Sequence, residues 1–313
     1  MTSSEQPLIV LVGPTAAGKT ETAILLAERL GAEIVSADSR LLYVGMDIGT
    51  AKPGLAERTR VRHHLVDVTP PDKTWSLAVY KSMVHQVVSQ IHARNRIPLL
   101  VGGTGQYIRS VLEGWQVPIV QPNQLLRNAL EKWSDEITPL GLHQRLATLD
   151  PLAASQIDPR NLRRTIRALE VILTTGEMFS IQKKRHPSPY HSLVLGLYRP
   201  RQELYTRIDA RIEAMFQAGF VAEVKGLLNQ GYSPKLPPLT AIGYREVIAY
   251  LAGSISLDEA IAQMKRQTRI FVRRQANWFK LDDPEIHWFH AGSEVVDKME
   301  IKVKLWLISD RLP

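Results

Sequence analysis

The chain has no cysteine in its 313 residues. That excludes disulfide cross-links, a thiol nucleophile and thiolate zinc sites together, and it fits a reducing compartment. Long apolar runs are also missing: nothing approaches the 18 residues that a membrane span needs. The start, Met1 to Pro7, is polar, and the following run Leu8 to Val12 has no basic flank and is too short for a signal core. A cytoplasmic protein with no membrane association is expected. Acidic side chains are in short supply, 31 Asp and Glu against 39 Lys and Arg, for a formal charge of +8. Such a balance predicts an anionic partner larger than one diphosphate, and nucleic acid is the usual candidate. There is no internal repeat and no low-complexity tract, which excludes a solenoid.

What is present begins with Gly13-Pro14-Thr15-Ala16-Ala17-Gly18-Lys19-Thr20, which satisfies G-x-x-x-x-G-K-[ST] directly after the apolar run Leu8 to Val12. A strand, a glycine turn and a helix in that order make a phosphate-binding loop: backbone N–H groups and the helix dipole converge on one spot. Lys19 would reach the outer of two linked phosphates as a point charge, and the Thr20 hydroxyl would ligand Mg2+ held between phosphate oxygens. The loop specifies diphosphate without naming a nucleotide.

The first hundred residues alternate strands and helices: Leu8 to Val12, a helix from Lys19 to Leu30, a strand over Glu33 to Ser36, a helix from about Ser76 to Ala93 and a strand over Ile97 to Val101. That alternation predicts an α/β fold, a P-loop NTPase-like parallel sheet flanked by helices. After Gly114 the character changes, with Pro118, Pro122, Pro139 and Pro151 punctuating helices near Leu125 to Trp133, Leu140 to Thr148 and Asn161 to Leu173. A small inserted helical subdomain over 116–191 is expected, closing in the basic, proline-rich stretch Lys183 to Pro189. The core then comprises 1–115 and 192–313, resuming with a strand at Leu193 to Leu197 and continuing helical from Arg201 to Lys280.

Asp38 falls at the carboxyl end of the second strand, where open α/β sheets bind ligands. It reads as a magnesium ligand, a general base or a helix cap, and the Asp-Ser pair suits a cap equally well. Gly102-Gly103-Thr104 ends the third strand with close backbone approach and a hydroxyl, or simply makes a tight turn. His63 and His64 are adjacent on an extended segment, point to opposite faces and cannot chelate one ion. Arg207 and Arg211 share a helix face, either as a diphosphate clamp or in a solvated network with Asp209 and Glu213.

Two elements concentrate positive charge. Ile261 to Leu281 contains no acidic residue but holds Lys265, Arg266, Arg269, Arg273, Arg274 and Lys280, with Trp278 and Phe279 beside them. The insertion carries Arg160, Arg163, Arg164 and Arg167. A basic element in each lobe predicts a cleft for an extended polyanion, and the aromatics suit splayed RNA bases or a core.

Further motifs join the phosphate loop: Ser36-Ala37-Asp38-Ser39-Arg40, Tyr43, the run Gly45-Met46-Asp47-Ile48-Gly49-Thr50-Ala51-Lys52-Pro53, and His63-His64-Leu65. They continue through Gly102-Gly103-Thr104 with Tyr107, Arg167-Ala168-Leu169-Glu170, Gly243-Tyr244-Arg245-Glu246, and Arg273-Arg274-Gln275 with Trp278-Phe279. In these segments, which span roughly 8 to 280, the chain resembles the bacterial tRNA dimethylallyltransferase (tRNA isopentenylpyrophosphate transferase) family. Leu41, where many members carry Gln, departs from the pattern, as does Val44, where a basic residue is common, and Ile270, Arg273, Asn277 and Lys280 replace the frequent Gln, Lys, Thr and Arg of the last motif.

The resemblance implies transfer of a dimethylallyl group from dimethylallyl diphosphate to the exocyclic amine of the adenosine just 3′ of the anticodon. It implies a diphosphate leaving group held by residues 13–20 with Arg207, Mg2+ at Thr20, and catalytic roles for Asp38, Thr104 and Arg211, Asp38 receiving the amine proton. The tRNA anticodon stem-loop would contact Asp38, Ser39, Arg40, Leu41, Thr104 and Arg127, then Arg163, Arg164, Thr165, Ile166 and Arg167. Further contacts would fall on Thr240, Ala241, Ile242, Gly243, Tyr244 and Arg245, and on Arg273, Arg274, Gln275, Ala276, Asn277, Trp278, Phe279 and Lys280. A monomer is expected. The alternatives are a small-molecule kinase, which has no need for two arginine-rich elements, an adenylate isopentenyltransferase, which has no need for the basic insertion, and a non-catalytic RNA-binding protein, against which Lys19, Thr20 and Asp38 all stand.

Overall fold

The structure is a computed structural model that describes residues 6–73, 75–115, 120, 122–181 and 188–309. Pro118 and most of the basic, proline-rich stretch, residues 183–187, lie outside the described residues. Two compact units are resolved, one formed by residues 1–112 and 189–313 and the other by 113–188.

The larger unit opens with β1 (Gln6–Val12), α1 (Lys19–Leu30), β2 (Ala32–Ser36), α2 (Leu55–Arg60) and β3 (His63–His64). It continues through α3 (Leu77–Ala93), β4 (Ile97–Gly102) and α4 (Gly105–Leu112). The smaller unit holds α5 (Gln124–Leu149), α6 (Pro151–Ser155) and α7 (Leu162–Thr175). The chain then re-enters the larger unit with β5 (Tyr190–Tyr198), α8 (Arg201–Gln217), α9 (Phe220–Asn229), α10 (Tyr244–Leu251), α11 (Leu257–Gln275), β6 (Ile286–His290) and α12 (Val295–Ser309).

Six strands make one sheet in the order β3-β2-β4-β1-β5-β6, every pair parallel. Helices on both faces bury such a sheet completely, which is why β1 is a continuous apolar run and not an alternating one; Leu8, Ile9, Val10, Leu11 and Val12 are all at 0% exposure. Local signals set the helix starts. Ser76 accepts a hydrogen bond from the Val79 N–H to open α3, and Asn161 accepts one from Arg164 to open α7.

The register brings three functional segments level. Val12 pairs with Gly102, and Ser36 pairs with Val101, so β1, β2 and β4 end at the same carboxyl edge. The phosphate loop, Asp38 and Thr104 each follow one of those ends.

The smaller unit has its own apolar centre, with Leu130, Leu142, Leu146, Ile166 and Leu169 buried. Two helices lie on either side of Pro139 as expected: α5 breaks at Thr138, whose φ 70 and ψ 157 are non-helical immediately before the proline. β6 and α12 extend the larger unit beyond Lys280.

Candidate active site

The phosphate loop leaves a fully buried strand and must turn at once. Gly13 has φ 153, and a Cβ there would lie 2.4 Å from the Leu197 carbonyl oxygen, so only glycine lets the loop press against β5. Gly18, at φ 104, opens α1, whose first N–H groups have no intrahelical partner and carry the positive end of the dipole.

Three distant side chains brace three successive loop residues. Gln275 Oε1 accepts from Thr15 N at 2.9 Å and from Thr15 Oγ1 at 3.2 Å. Arg207 Nε donates to the Ala16 carbonyl at 3.0 Å, and Arg199 Nε donates to the Ala17 carbonyl at 2.9 Å. Ala16 sits at φ 68, a left-handed conformation that costs a non-glycine residue on the order of 1 kcal/mol. The Arg207 bond holds it there. The loop is therefore preorganised by protein contacts.

Inside this frame Lys19 folds back, its ammonium donating to the Pro14 carbonyl at 2.8 Å. Burial pulls its pKa down to about 8; Asp38 opposes that shift and Arg211 adds to it. Arg211, one turn along α8 from Arg207, is likewise drawn below the usual arginine value by burial, with Asp38 again opposing. Lys19, Asp38 and Arg211, all half-buried, thus act on one another electrostatically. Two cations against one carboxylate leave an excess of positive charge, which a diphosphate would neutralise.

Asp38 caps no helix, since the next one begins at Leu55. Its Oδ1 accepts the Arg40 N–H at 2.9 Å in an Asx turn that fixes the carboxylate at the end of β2. Thr104 locks the neighbouring turn to it: Thr104 N donates to the Ala37 carbonyl at 3.3 Å, and Thr104 Oγ1 accepts from Ser39 N at 3.2 Å. Tyr80 and Tyr107 stack at 3.8 Å behind this segment, and Tyr80 donates to the Ser36 carbonyl at 3.0 Å. Burial raises both phenol pKa values, and the Asp38 charge adds to the rise, so both rings stay neutral.

The long motif near residue 45 proves to be a loop held from beneath. Glu223 accepts from the N–H groups of Asp47, Ile48 and Gly49 at 2.9, 2.6 and 3.2 Å, and from the Tyr244 hydroxyl at 2.6 Å. Lys52, with a side chain only 2% exposed, bonds the Tyr43 carbonyl and pairs with Asp47 and Asp67. His63 and His64 have separate partners, the Val61 carbonyl and Glu33.

The basic elements divide into engaged and exposed members. In the smaller unit Arg163 and Arg164 are exposed. Arg127 and Arg167 instead converge at 2.8 and 2.7 Å on Glu170, whose side chain is fully buried, while Arg160 pairs with Asp158. Thr165 and Ile166 are buried.

On α11, Lys265 pairs with Glu213 and Arg269 with Asp209, so those carboxylates answer to α11 across the α8–α11 packing. Arg266, Arg273, Arg274, Ala276, Asn277 and Lys280 are exposed. Phe279 is a core residue. Trp278 lies over the Gly105 backbone, where a Cβ would come within 2.2 Å of its ring, and remains 38% exposed. Ahead of α10, Thr240 is exposed, Ile242 half-buried, and Ala241 and Gly243 buried, and in its first turn Tyr244 is buried and Arg245 exposed. Ser39, Arg40 and Leu41 are half-buried beside Asp38.

The sequence reading did not single out Arg199, the bracing role of Gln275 or the Glu223 cradle. Only Gln275 carried a signal, its place in the Arg273-Arg274-Gln275 motif.

A parallel α/β sheet with a braced phosphate loop at its carboxyl edge, and Asp38 at the end of another strand of that edge, defines a P-loop-like α/β protein. Residues 41–282 match the family model described as IPP transferase, and the chain belongs to that family. A tRNA dimethylallyltransferase of Roseiflexus sp. (strain RS-1) is 52% identical over 88% of this chain and 90% of its own length. One from Thermomicrobium roseum is 46% identical over 92% and 87%. Among solved structures, the tRNA isopentenylpyrophosphate transferase of Bacillus halodurans is 36% identical, covers 98% of this chain and 96% of its own, and superposes with a TM-score of 0.70. A eukaryotic dimethylallyltransferase captured acting on tRNA superposes with a TM-score of 0.83 at 25% identity, over 98% of this chain and 80% of its own.

Proposed function

We propose that the protein transfers the dimethylallyl group of dimethylallyl diphosphate to the N6 amine of adenosine 37 in tRNA, the base just 3′ of the anticodon, and releases diphosphate. The observation that carries this reading is the strand register that sets the phosphate loop, with Lys19, and Asp38 at one carboxyl edge, where Lys19, Asp38 and Arg211 act on one another electrostatically. A hydrolytic NTPase sets a water-positioning group beside such cations. A transferase to an amine needs a proton acceptor there, a role that the Asp38 carboxylate can fill.

In the reaction the N6 lone pair attacks the allylic carbon, the carbon–oxygen bond breaks with its electrons going to diphosphate, and the surplus N6 proton passes to the Asp38 carboxylate. Negative charge grows on the leaving oxygens, so the loop N–H groups, Lys19 and Arg211 stabilise the transition state more than the bound donor. Thr104 and the Asx turn keep Asp38 in place. Stacked anticodon-loop bases would hide the amine, so the adenine must be turned out of the stack to reach Asp38.

Mg2+ suits this donor set. Thr20 supplies an exposed hydroxyl at the start of α1, a hard oxygen of the kind magnesium uses beside phosphate. No cluster of three or more His, Asp or Glu suited to a metal occurs among the described residues, so the ion would be held largely through the donor. Bound there, it would neutralise charge on the departing diphosphate.

For the RNA, Arg163 and Arg164 in one unit and Arg273, Arg274 and Lys280 in the other offer exposed charge to backbone phosphates. The protein acts as a cytoplasmic monomer in this reading, and no helix among the described residues is long and apolar enough to cross a membrane.

The test is single-turnover incubation with radiolabelled dimethylallyl diphosphate, Mg2+ and unmodified tRNA, with AMP and ATP controls. Label should enter tRNA alone, and Asp38→Ala should slow transfer about 100-fold or more while tRNA affinity stays within a few-fold. Label in AMP, or ATP consumption without transfer, would replace the reading with an adenylate prenyltransferase or a kinase. A mutant with most of its rate would remove Asp38 from the proton-accepting role.

A further inference from the structure

Gln275 ends the basic helix α11, yet its side chain points away from solvent and is 5% exposed as a residue. Its neighbours Arg273, Arg274, Ala276 and Asn277 are all exposed. Both ends of its amide are used. Oε1 accepts from the Thr15 backbone and hydroxyl in the phosphate loop, and Nε2 donates to the Gly103 carbonyl at 3.1 Å. Gly103 immediately precedes Thr104, which holds Ser39 and Ala37 beside Asp38. One amide therefore connects the helix with exposed arginines, the diphosphate loop and the turn that supports the proton acceptor.

The packing is tight enough to transmit a shift. A Cβ on Gly103 would fall 2.4 Å from Gln275 Nε2, and one on Gly105 would fall 2.2 Å from Trp278, so the end of α11 lies directly against the β4–α4 turn. A buried primary amide satisfied at both ends holds a single rotamer, because any rotation leaves buried polar groups unpaired. Displacement of α11 along or across this contact must move Thr15, Gly103 or both.

We propose that Gln275 is a positioning residue through which α11 sets the geometry of the diphosphate loop, so that RNA held on the basic end of α11 and diphosphate held in the loop favour each other's binding. The coupling half of this inference rests on the functional reading above; the positioning half does not. Coupling between two ligands is reciprocal and commonly amounts to about 5-fold or more in affinity.

Two variants break the link from opposite sides. Gln275→Met keeps the length of the side chain and removes all three hydrogen bonds. Gly103→Ala leaves Gln275 in the sequence but drives its amide off the turn. Affinity for inorganic diphosphate is measured by calorimetry with and without an anticodon stem-loop RNA, and kcat and KM for dimethylallyl diphosphate are measured with tRNA.

In the unaltered protein the RNA should tighten diphosphate binding about 5-fold or more. In either variant the donor KM should rise about 10-fold with kcat changed far less, RNA affinity alone should stay within 2-fold, and the tightening should fall below 2-fold. The double variant should be no worse than the more severe single one, since both cut the same connection. If Gln275→Met instead weakens RNA binding and spares the donor KM, Gln275 is an RNA contact and the proposal is overturned. Multiplying effects in the double variant, or unchanged donor KM and coupling, also overturn it. If the unaltered protein transfers nothing to tRNA while Gln275→Met still loosens inorganic diphosphate, the functional reading and the coupling fail and the positioning role stands.

Discussion

Arg199 donates its Nε–H to the carbonyl of Ala17 at 2.9 Å, across 182 positions of sequence. Because a peptide group is planar and trans, a carbonyl held toward Arg199 sends the Gly18 N–H the opposite way, into the cradle of the loop. The same guanidinium pairs with Glu203 one turn along, which fixes its plane. Arg199 thus shapes the donor site while bonding the outside of the loop. Arg199→Met should raise the donor KM about 10-fold, the size of one charge-assisted hydrogen bond, with RNA affinity unchanged. Arg199→Lys should recover little of the loss, since an ammonium lacks the planar fork. Steady-state kinetics with each substrate varied in turn separate the two effects.

The lowered pKa of Lys19 gives the donor site a pH dependence of known sign. The ammonium form attracts diphosphate, and burial makes it lose its proton near pH 8, well before an exposed lysine would. Donor kcat/KM should therefore be level on approaching pH 8 from below and fall about tenfold per unit above it, since that profile reports the free enzyme. Bound donor opposes the deprotonation, so kcat at saturation should keep its plateau to higher pH. Lys19→Arg should lower activity and abolish the fall near pH 8, because guanidinium does not deprotonate in this range. A fall that persists in Lys19→Arg assigns the titration to another group.

The parts of this fold and site legible in sequence were those written in local patterns. The loop Gly13 to Thr20, the buried run before it and the strand ends at Ser36 and Gly102 all announce themselves within a few residues, and the parallel register then levels them without further information. β6 does not announce itself: Ile286 to His290 mixes two histidines with three large apolar residues in no strict alternation over only five positions, and its place beside β5 depends on a pairing about ninety residues away. The braces on the loop are invisible for the same reason. Nothing about Arg199 or Glu223 in isolation distinguishes it from any surface charge until the fold delivers it to a backbone carbonyl or to three N–H groups. Charge counting had the opposite failing. Arg127 and Arg167 look the same in sequence as Arg163 and Arg164, and only the position of Glu170 separates them.

The motif loop should be intolerant of even one added carbon. A Cβ on Gly49 would lie 2.2 Å from one ring atom of Phe220 and 2.7 Å from one of Tyr244, both among the most buried side chains of the larger unit. Neither ring has room to retreat, because Phe220 also packs edge-on against Tyr244 at 5.1 Å and Tyr244 is tied to Glu223. Overpacking of this kind costs about 1–3 kcal/mol. Gly49→Ala should accordingly lower the melting midpoint by several degrees, at about 2–4 °C per kcal/mol for a unit of this size. An unchanged midpoint would mean that the loop detaches from α9 at little cost.

Arg163 and Arg167 lie four residues apart on α7 and should fail in different ways. Arg163 is exposed, so Arg163→Ala should leave stability unchanged, weaken RNA binding and reduce the slope of log affinity against log salt by about 0.7–0.9 per lost phosphate contact. Arg167 faces Glu170, whose carboxylate has no solvent and depends on Arg127, Arg167 and the Asn123 N–H for compensation. Arg167→Ala should cost about 1.5–3 kcal/mol through the loss of a charge-assisted bond to that buried group. Its effect on RNA affinity should shrink at low temperature, where the smaller unit stays folded. Replacing Glu170 together with Arg167, by Gln and Met, removes the buried charge and one of its two arginine partners, leaves the partly exposed Arg127 to solvent, and should recover part of the stability. Calorimetric melting beside salt-titrated RNA binding distinguishes the two arginines; equal salt slopes for both single variants would place Arg167 on the RNA as well.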